Sequence, residues 1–153
     1  MKAAAPLAEA ADSAEAKAVL ENAETFGDLD RYRVVVANGV FQAELSDVDA
    51  LLAEGVSVSS FAATLEDKDA SLMLKAPKTG PEDGVVALNT AFVQGGVVIA
   101  VKGGAEVTKP VELVQVATST GAQAVRNAVT LGEGSKLRLL ETFVGDTGVG
   151  ELN

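Results

Sequence analysis

Few side chains in this sequence can do chemistry. The chain has no cysteine and no histidine. That removes thiolate nucleophiles, disulfides, imidazole general bases and the N/S ligands that hold zinc or iron–sulfur clusters. Carboxylates, lysines, Tyr32, hydroxyls and the backbone remain. Carboxylates lie close together at Asp28 and Asp30 and again at Asp47 and Asp49, but neither pair has the ordered ligand set or closing glutamate of a calcium loop, and both read as caps and surface. Residues 145–150 (GDTGVG) carry the glycines of a phosphate loop without the lysine or following helix that make such a loop work, and read as a turn. Glu112 and Arg126 would have to converge on one outer face to serve polysaccharide cleavage, and the separation of carboxylates that such chemistry needs cannot be taken from spacing. Asn127 and Glu141 interrupt strand faces that are otherwise apolar. These residues predict no catalytic, cofactor-binding or metal-binding site in this chain, and no enzymatic activity.

The elements that hold these residues form a valine-rich stretch, 85–143, cut by glycines and by Lys109-Pro110 into short strands at 97–101, 106–108, 111–116, 125–131 and 137–143. Turns are expected at 102–104 and 132–135, with a polar loop at 118–123. Nothing between these strands supplies the dozen or more helical residues of a βαβ crossover, so they read as successive coils of an all-β stack, either a parallel β-helix or a sandwich. Residues 85–93 read as one or two helical turns, with a strand as the alternative.

Period-two alternation puts Val125, Asn127, Val129 and Leu131 on one face, and Leu137, Leu139, Glu141 and Phe143 on one face of the next strand. An inward asparagine suits a β-helix corner, where its amide satisfies backbone groups. An inward glutamate is costly unless paired. Glu141 is therefore expected at a bulge that turns it to solvent, the alternative being a buried functional carboxylate. Residues 97–101 are apolar on both faces, so Val98 and Ala100 need cover from the earlier chain or from another subunit.

Upstream, Pro6 discourages a helix through the alanine-rich first residues. Asp12 and Glu15 form a candidate capping box, Ala16, Val19, Leu20 and Ala23 follow helical spacing, and Gly27 is placed to stop the helix. Residues 33–37 and 40–43 flank Asn38-Gly39, which predicts a hairpin with a type I′ turn. Ser46 and Asp49 could cap a short helix through Leu52 that ends at Gly55, followed by a strand at 56–58 and a helical patch at 61–65. Residues 66–69 alternate in charge and read as surface, and 76–84, with two prolines and two glycines, mark a boundary.

Composition narrows the function classes. With 153 residues, 48% of them hydrophobic and 4% aromatic, the chain can build one real core from Val, Leu and Ala. The net charge of −10 repels phosphate backbones and anionic lipid, so neither nucleic acid nor a membrane is expected as a partner. There is no apolar run of 18 or more residues and no signal-peptide pattern, from which a soluble, cytoplasmic protein is expected.

Several segments in order resemble a known family. Ala87-Leu88-Asn89-Thr90-Ala91-Phe92, Lys109-Pro110-Val111 leading into Leu113-Val114, Arg126-Asn127 with Leu131-Gly132-Glu133-Gly134, and Leu137 with Glu141 resemble the first β-helix coils of the SufB/SufD family of iron–sulfur cluster assembly proteins. Phe26-Gly27-Asp28-Leu29-Asp30, Val36-Ala37-Asn38-Gly39-Val40-Phe41, Leu45-Ser46 and Glu54-Gly55-Val56 resemble the lead-in of the SufD branch. Each piece is short; their order and spacing carry the resemblance over nearly the whole chain.

The resemblance implies a mainly β chain, the start of a right-handed parallel β-helix preceded by a small α+β lead-in with a β-hairpin: lead-in at 1–76, linker at 77–84, first coils at 85–153. It further implies a scaffold that pairs with a SufB-like subunit and carries a SufC-like ATPase in a cytoplasmic complex on which iron–sulfur clusters are built. The sequence would be an internal or N-terminal fragment. The regions that engage SufB-like and SufC-like subunits, and the cluster-handling Cys and His positions, would then lie mostly outside it, so that it holds no cofactor itself. Arg126, Asn127 and Glu141 match the family pattern and are assigned to architecture.

Two other classes are weighed. A polysaccharide-active or carbohydrate-binding parallel β-helix needs charged groups converging near Glu112 or Arg126. An adhesive repeat module needs a constant coil length, and the spacings from Val111 to Leu137 do not repeat cleanly. A β-helix stopped after a few coils leaves an unpaired edge and an open apolar layer. Self-association through 125–143, or through the outer face of 97–101, is therefore expected.

Overall fold

The computed structural model describes residues 11–23, 25–67, 95–119 and 125–145. The expected linker at 77–84, the helical turns at 85–93, most of the loop at 118–123 and all but the first residue of the glycine-rich segment at 145–150 lie outside the described residues. The fold is mixed α/β, with helices α1 (Ser13–Asn22), α2 (Val48–Ala53) and α3 (Phe61–Glu66) and strands β1 (Tyr32–Ala37), β2 (Val40–Phe41), β3 (Val56–Ser60), β4 (Val97–Val101), β5 (Val111–Ala117), β6 (Ala128–Leu131) and β7 (Leu139–Gly145). One sheet has the order β2-β1-β5-β7 and the other β3-β4-β6.

The chain crosses between the sheets at each step from β4 to β7, and each strand lies parallel to the one two steps earlier: β4 with β6, β5 with β7. Val98 lies beside Ala128 and Ile99 beside Val129, a stride of 30 residues. Isolated parallel bridges join Gly95 to Val125 and Glu106 to Lys136 at the corners. Antiparallel partners close the other side, β2 on β1 and β3 on β4.

The lead-in is not set apart from the later strands. β1 pairs in parallel with β5 from Tyr32 beside Val111 to Ala37 beside Val116, and β3 pairs with β4 along its length. The physical reason is that residues 34–37 of β1 are apolar on both faces, so this part of the strand must sit inside a sheet covered on both sides. Val34 and Val36 point into the core between the sheets with Val56, Val97, Ile99, Val101, Val111 and Leu113. Val35 and Ala37 point the other way, with Val114 and Val116, against Ala16, Val19 and Leu20 of α1. Full burial of each such valine or leucine contributes roughly 1.5–3 kcal/mol relative to exposure.

Local chemistry accounts for most of the boundaries. Asp12 caps α1 by accepting from the Ala14 N–H. The helix ends at Asn22, because Ala23 is already extended (φ −93°, ψ 110°); Gly27 lies beyond it in a turn rather than stopping it. The hairpin forms as the sequence predicts. Asn38 has φ +45° and Gly39 φ +85°, as a type I′ turn requires, with Val36 opposite Phe41 and Ala37 opposite Val40. Its second strand is shorter than expected, since residues Ala43–Leu45 turn into a 3₁₀ helix.

Ser46 does not cap α2; Asp47 occupies the N-cap position without a side-chain cap bond. The exposed backbone of β1 claims both residues. Ser46 Oγ accepts from Val35 N–H at 2.9 Å and donates to the Gln42 carbonyl, while the Asp47 carboxylate accepts from Arg33 N–H at 2.7 Å. Gly55, with φ +80°, ends α2 as expected. Val98, on the outer face of β4, is buried where α3 lies against that strand, so the lead-in supplies this part of the cover.

Two strands are offset from their sequence positions. β6 begins at Ala128, with Val125 held only by its bridge to Gly95, and β7 runs from Leu139 rather than Leu137. The bulge expected at Glu141 is absent. Glu141 pairs in register with Leu113, and the pairing continues through Phe143 to Gly145. Glu141 is exposed because it faces the open end of the interior, where no further layer lies over it among the described residues.

Candidate functional site

The sites are built where the lead-in meets the later strands. Glu112 lies on β5, on the face turned toward α1, and is fully buried (0% exposed). Arg31, just before β1, is placed to answer it. Its Nε donates to Glu112 Oε2 at 2.5 Å, and its side chain is only 6% exposed. Arg33 Nε reaches the same oxygen at 3.2 Å and the Thr142 hydroxyl donates to Oε1 at 2.9 Å, so β1, β5 and β7 are bolted together through one carboxylate. Burial pushes this carboxyl upward. Hydrogen bonds from Arg31, Thr142 and Thr25, together with the Arg31 charge, outweigh that and hold it below its ordinary value of 4.5.

Arg31 does more than pair. Its guanidinium also donates to the carbonyls of Thr25 (2.6 Å), Gly27 (3.4 Å) and Leu29 (2.8 Å) and to the Thr25 hydroxyl (3.2 Å). The loop before β1 is thus wrapped around one cation.

A second cluster straps α2 to the Lys109-Pro110 corner. Glu54 accepts from the Tyr32 hydroxyl at 2.9 Å, from Thr108 N–H at 2.8 Å and from the Thr108 hydroxyl at 2.6 Å. Lys109 pairs with Asp30 at 2.9 Å and sits 5.3 Å from the Tyr32 ring centre. The Thr108 hydrogen bonds lower the Glu54 carboxyl, the Glu54 hydrogen bond raises the Tyr32 hydroxyl, and the Asp30 hydrogen bond raises the Lys109 ammonium. Arg138, thirty residues on, donates to the Thr108 carbonyl at 2.7 Å.

The residues singled out from the sequence are distributed by this frame. Asn127 Oδ1 accepts from Val97 N–H at 3.2 Å, the backbone service expected of it. Glu112 and Arg126 do not converge: Glu112 is buried against Arg31, while the Arg126 guanidinium lies 5.6 Å from the Phe61 ring centre. The requirement of the polysaccharide reading is therefore unmet. Asp30 is tied to Lys109 and Asp47 to the backbone of β1. Among the described residues, no group of three or more carboxylates could hold a metal ion.

Sequence reasoning missed the Arg31–Glu112 pair. Its signal was a single glutamate in an apolar strand, VELVQV, which demands a buried cation, with arginines at 31 and 33 as the candidates.

Another prominent surface among the described residues is the interior-side face of β6 and β7. Val129, Leu131, Leu139 and Phe143 occupy the face that is buried in β4 and β5, yet are 40%, 56%, 40% and 59% exposed. Beside it, a groove of about 740 Å³ runs between Leu52, Ser57, Ala100, Thr130 and Leu131.

Residues 20–113, more than half of the chain, match the family described as the SufBD protein N-terminal region. The chain belongs to the SufBD family. The matched span runs from the end of α1 to Leu113 in β5, so it includes the Arg31–Glu112 pair, the Glu54 strap and the hairpin. Membership places the chain among proteins of iron–sulfur cluster assembly. No curated protein matches the sequence. No described helix of this SufBD-family chain is long and apolar enough to cross a membrane.

Proposed function

We propose that the chain is a SufD-like scaffold subunit, without enzymatic activity of its own. It would act in a cytoplasmic complex with a SufB-like subunit and a SufC-like ATPase, where iron–sulfur clusters are the cargo and not a resident cofactor of this chain. In this reading the two sheets are the first coils of a right-handed parallel β-helix. The single observation that carries it is the parallel stride of 30 residues from β4 to β6 and at both corner bridges, and of 28 from β5 to β7, in a chain that matches the SufBD family. A helix of stacked coils grows by adding strands to both sheet edges, and β6 and β7 present such edges over an unfinished apolar layer.

Chemistry on the clusters is assigned to the partners, since the carboxylates best placed to act here, Glu112 and Glu54, are already engaged by arginine and hydroxyl donors. The open layer also makes self-association the expected behaviour of the isolated chain.

Coexpression with the SufB-like and SufC-like proteins of the same organism is the test. Copurification of the chain, or of a longer form that contains it, with either subunit supports the scaffold. Absence of any complex for both forms sinks it. Light scattering over a concentration series tests self-association, and a strictly monomeric profile at high concentration refutes that part.

A further inference from the structure

We propose that loop 25–31 is a preformed docking tip for a partner protein that offers an apolar pocket rimmed by lysine and arginine; this surface rests on the scaffold reading above. Phe26 is an aromatic residue in the left-handed region, at φ +52°, and it is 49% exposed. Both facts are unfavourable for the isolated chain, because a bulky side chain is rare at positive φ and an exposed ring forgoes burial. Leu29, three residues on, is 42% exposed. Strain of this kind persists only where surrounding structure dictates it, and it concentrates at functional loops.

Here the surrounding structure is Arg31. Its guanidinium fixes the carbonyls of Thr25, Gly27 and Leu29 from below while its own position is fixed by Glu112. With the backbone held from the inside, Phe26 and Leu29 are directed outward and keep that geometry before any partner arrives. Preorganised loops lose less entropy on binding, and buried aromatic anchors dominate interface energetics.

Charge selects the kind of partner. Asp28 is exposed beside the two apolar side chains, and Asp30, paired with Lys109, leaves 76% of its side chain in solvent. Anionic lipid and nucleic acid repel such a tip, and a second copy, at net charge −10, is a poor match. A protein pocket with a cationic rim is complementary to both the apolar and the acidic parts.

The test uses the full chain with Phe26→Gly, Leu29→Ser and Asp28→Asn, titrated calorimetrically against the purified SufB-like and SufC-like subunits, with thermal melts in parallel. The expected result is that the unaltered chain binds one of them, that Phe26→Gly and Leu29→Ser each weaken binding at least tenfold, and that Asp28→Asn weakens it less while flattening its salt dependence. Glycine accepts φ +52°, so the melting temperature of Phe26→Gly should stay level or rise while binding falls, which a merely structural loop would not do. Unchanged binding in the first two variants overturns the docking tip and leaves the scaffold reading intact. A fall in melting temperature that tracks the binding loss also overturns it. Failure of the unaltered chain to bind either subunit overturns the docking tip, while the scaffold reading then stands or falls on the longer form, and a self-complex abolished by Phe26→Gly replaces the proposed partner with a second copy.

Discussion

The two layers of the interior obey the same sequence rule and meet opposite fates. In β4 and β5 the alternate residues Val97, Ile99, Val101, Val111 and Leu113 are buried between the sheets. In β6 and β7, their parallel neighbours, Val129, Leu131, Leu139 and Phe143 occupy equivalent positions and are exposed. The difference teaches that alternation assigns a residue to a face, while burial depends on whether another layer covers that face. Alternation is therefore satisfied where the two sheets cover one another at β4 and β5, and left unsatisfied at β6 and β7 among the described residues.

The sharpest way to break the contrast is to remove the bolt that holds both layers in one sheet. Glu112→Ala leaves Arg31 as an uncompensated buried cation and should cost about 3 kcal/mol or more in urea unfolding. A loss below about 1 kcal/mol would show that the pair is dispensable. Nearly as large is Gly96→Ala at the corner between the layers, where φ is +122° and a new Cβ would lie 2.0 Å from the Arg126 carbonyl oxygen; the conformation alone costs roughly 1–3 kcal/mol, the overlap with backbone adds to it, and a lowered thermal midpoint is expected.

The contrast itself is measured by a matched pair. Ile99→Ala in the covered layer should cost about 2–5 kcal/mol, whereas Leu131→Ala in the open layer should cost well under 1 kcal/mol, as roughly half of that side chain is already in water. Equal losses would mean that the last layer is covered in solution. Acid titration sharpens the role of the bolt. The Glu112 carboxyl is lowered on folding, so its contribution is complete above the unfolded value near 4.5 and is lost as pH falls through the lower folded value. Unfolding monitored by circular dichroism should therefore show stability falling below about pH 4.5 in the native chain, and Glu112→Gln should flatten that fall. The smallest effect expected is from Lys136→Ala, which removes a bond of 3.3 Å to Glu106 between side chains that are largely exposed; about 0.5 kcal/mol or less is expected, and less still at high salt.

What could be read from the sequence follows the range of the forces involved. The Asn38-Gly39 turn was legible because two adjacent residues decide it, and β4 because a run of valine and isoleucine broken only by Ala100 has few other uses. Asn127 was legible as a backbone-satisfying amide, since a polar residue on an apolar face must find a partner. The start of β6 and β7 was not, because strand limits there are fixed by which residues of β4 and β5 they meet, a property of the assembled sheets. The Arg31–Glu112 pair joins residues 81 apart, and its one local trace, a glutamate in an apolar strand, does not say which cation answers it. Glu141 was assigned to the correct face but given a bulge it does not need, because its expected burial assumed a covering layer.

The Lys109-Pro110 corner carries a consequence for how the chain could change length in evolution. Before it, Glu106 bridges to Lys136, thirty residues away; after it, Val111 pairs with Leu139 at a stride of 28. Two residues are therefore gained on one level and not on the next, and because side chains alternate with period two, the even difference leaves Leu139 and Phe143 on the same face as Val111 and Gln115. Insertions and deletions at this corner should be tolerated in pairs and rejected singly. Deleting Pro110 alone is expected to lower the thermal midpoint more than deleting Lys109 and Pro110 together, and the opposite ranking would show that the corner, not the face, sets the count.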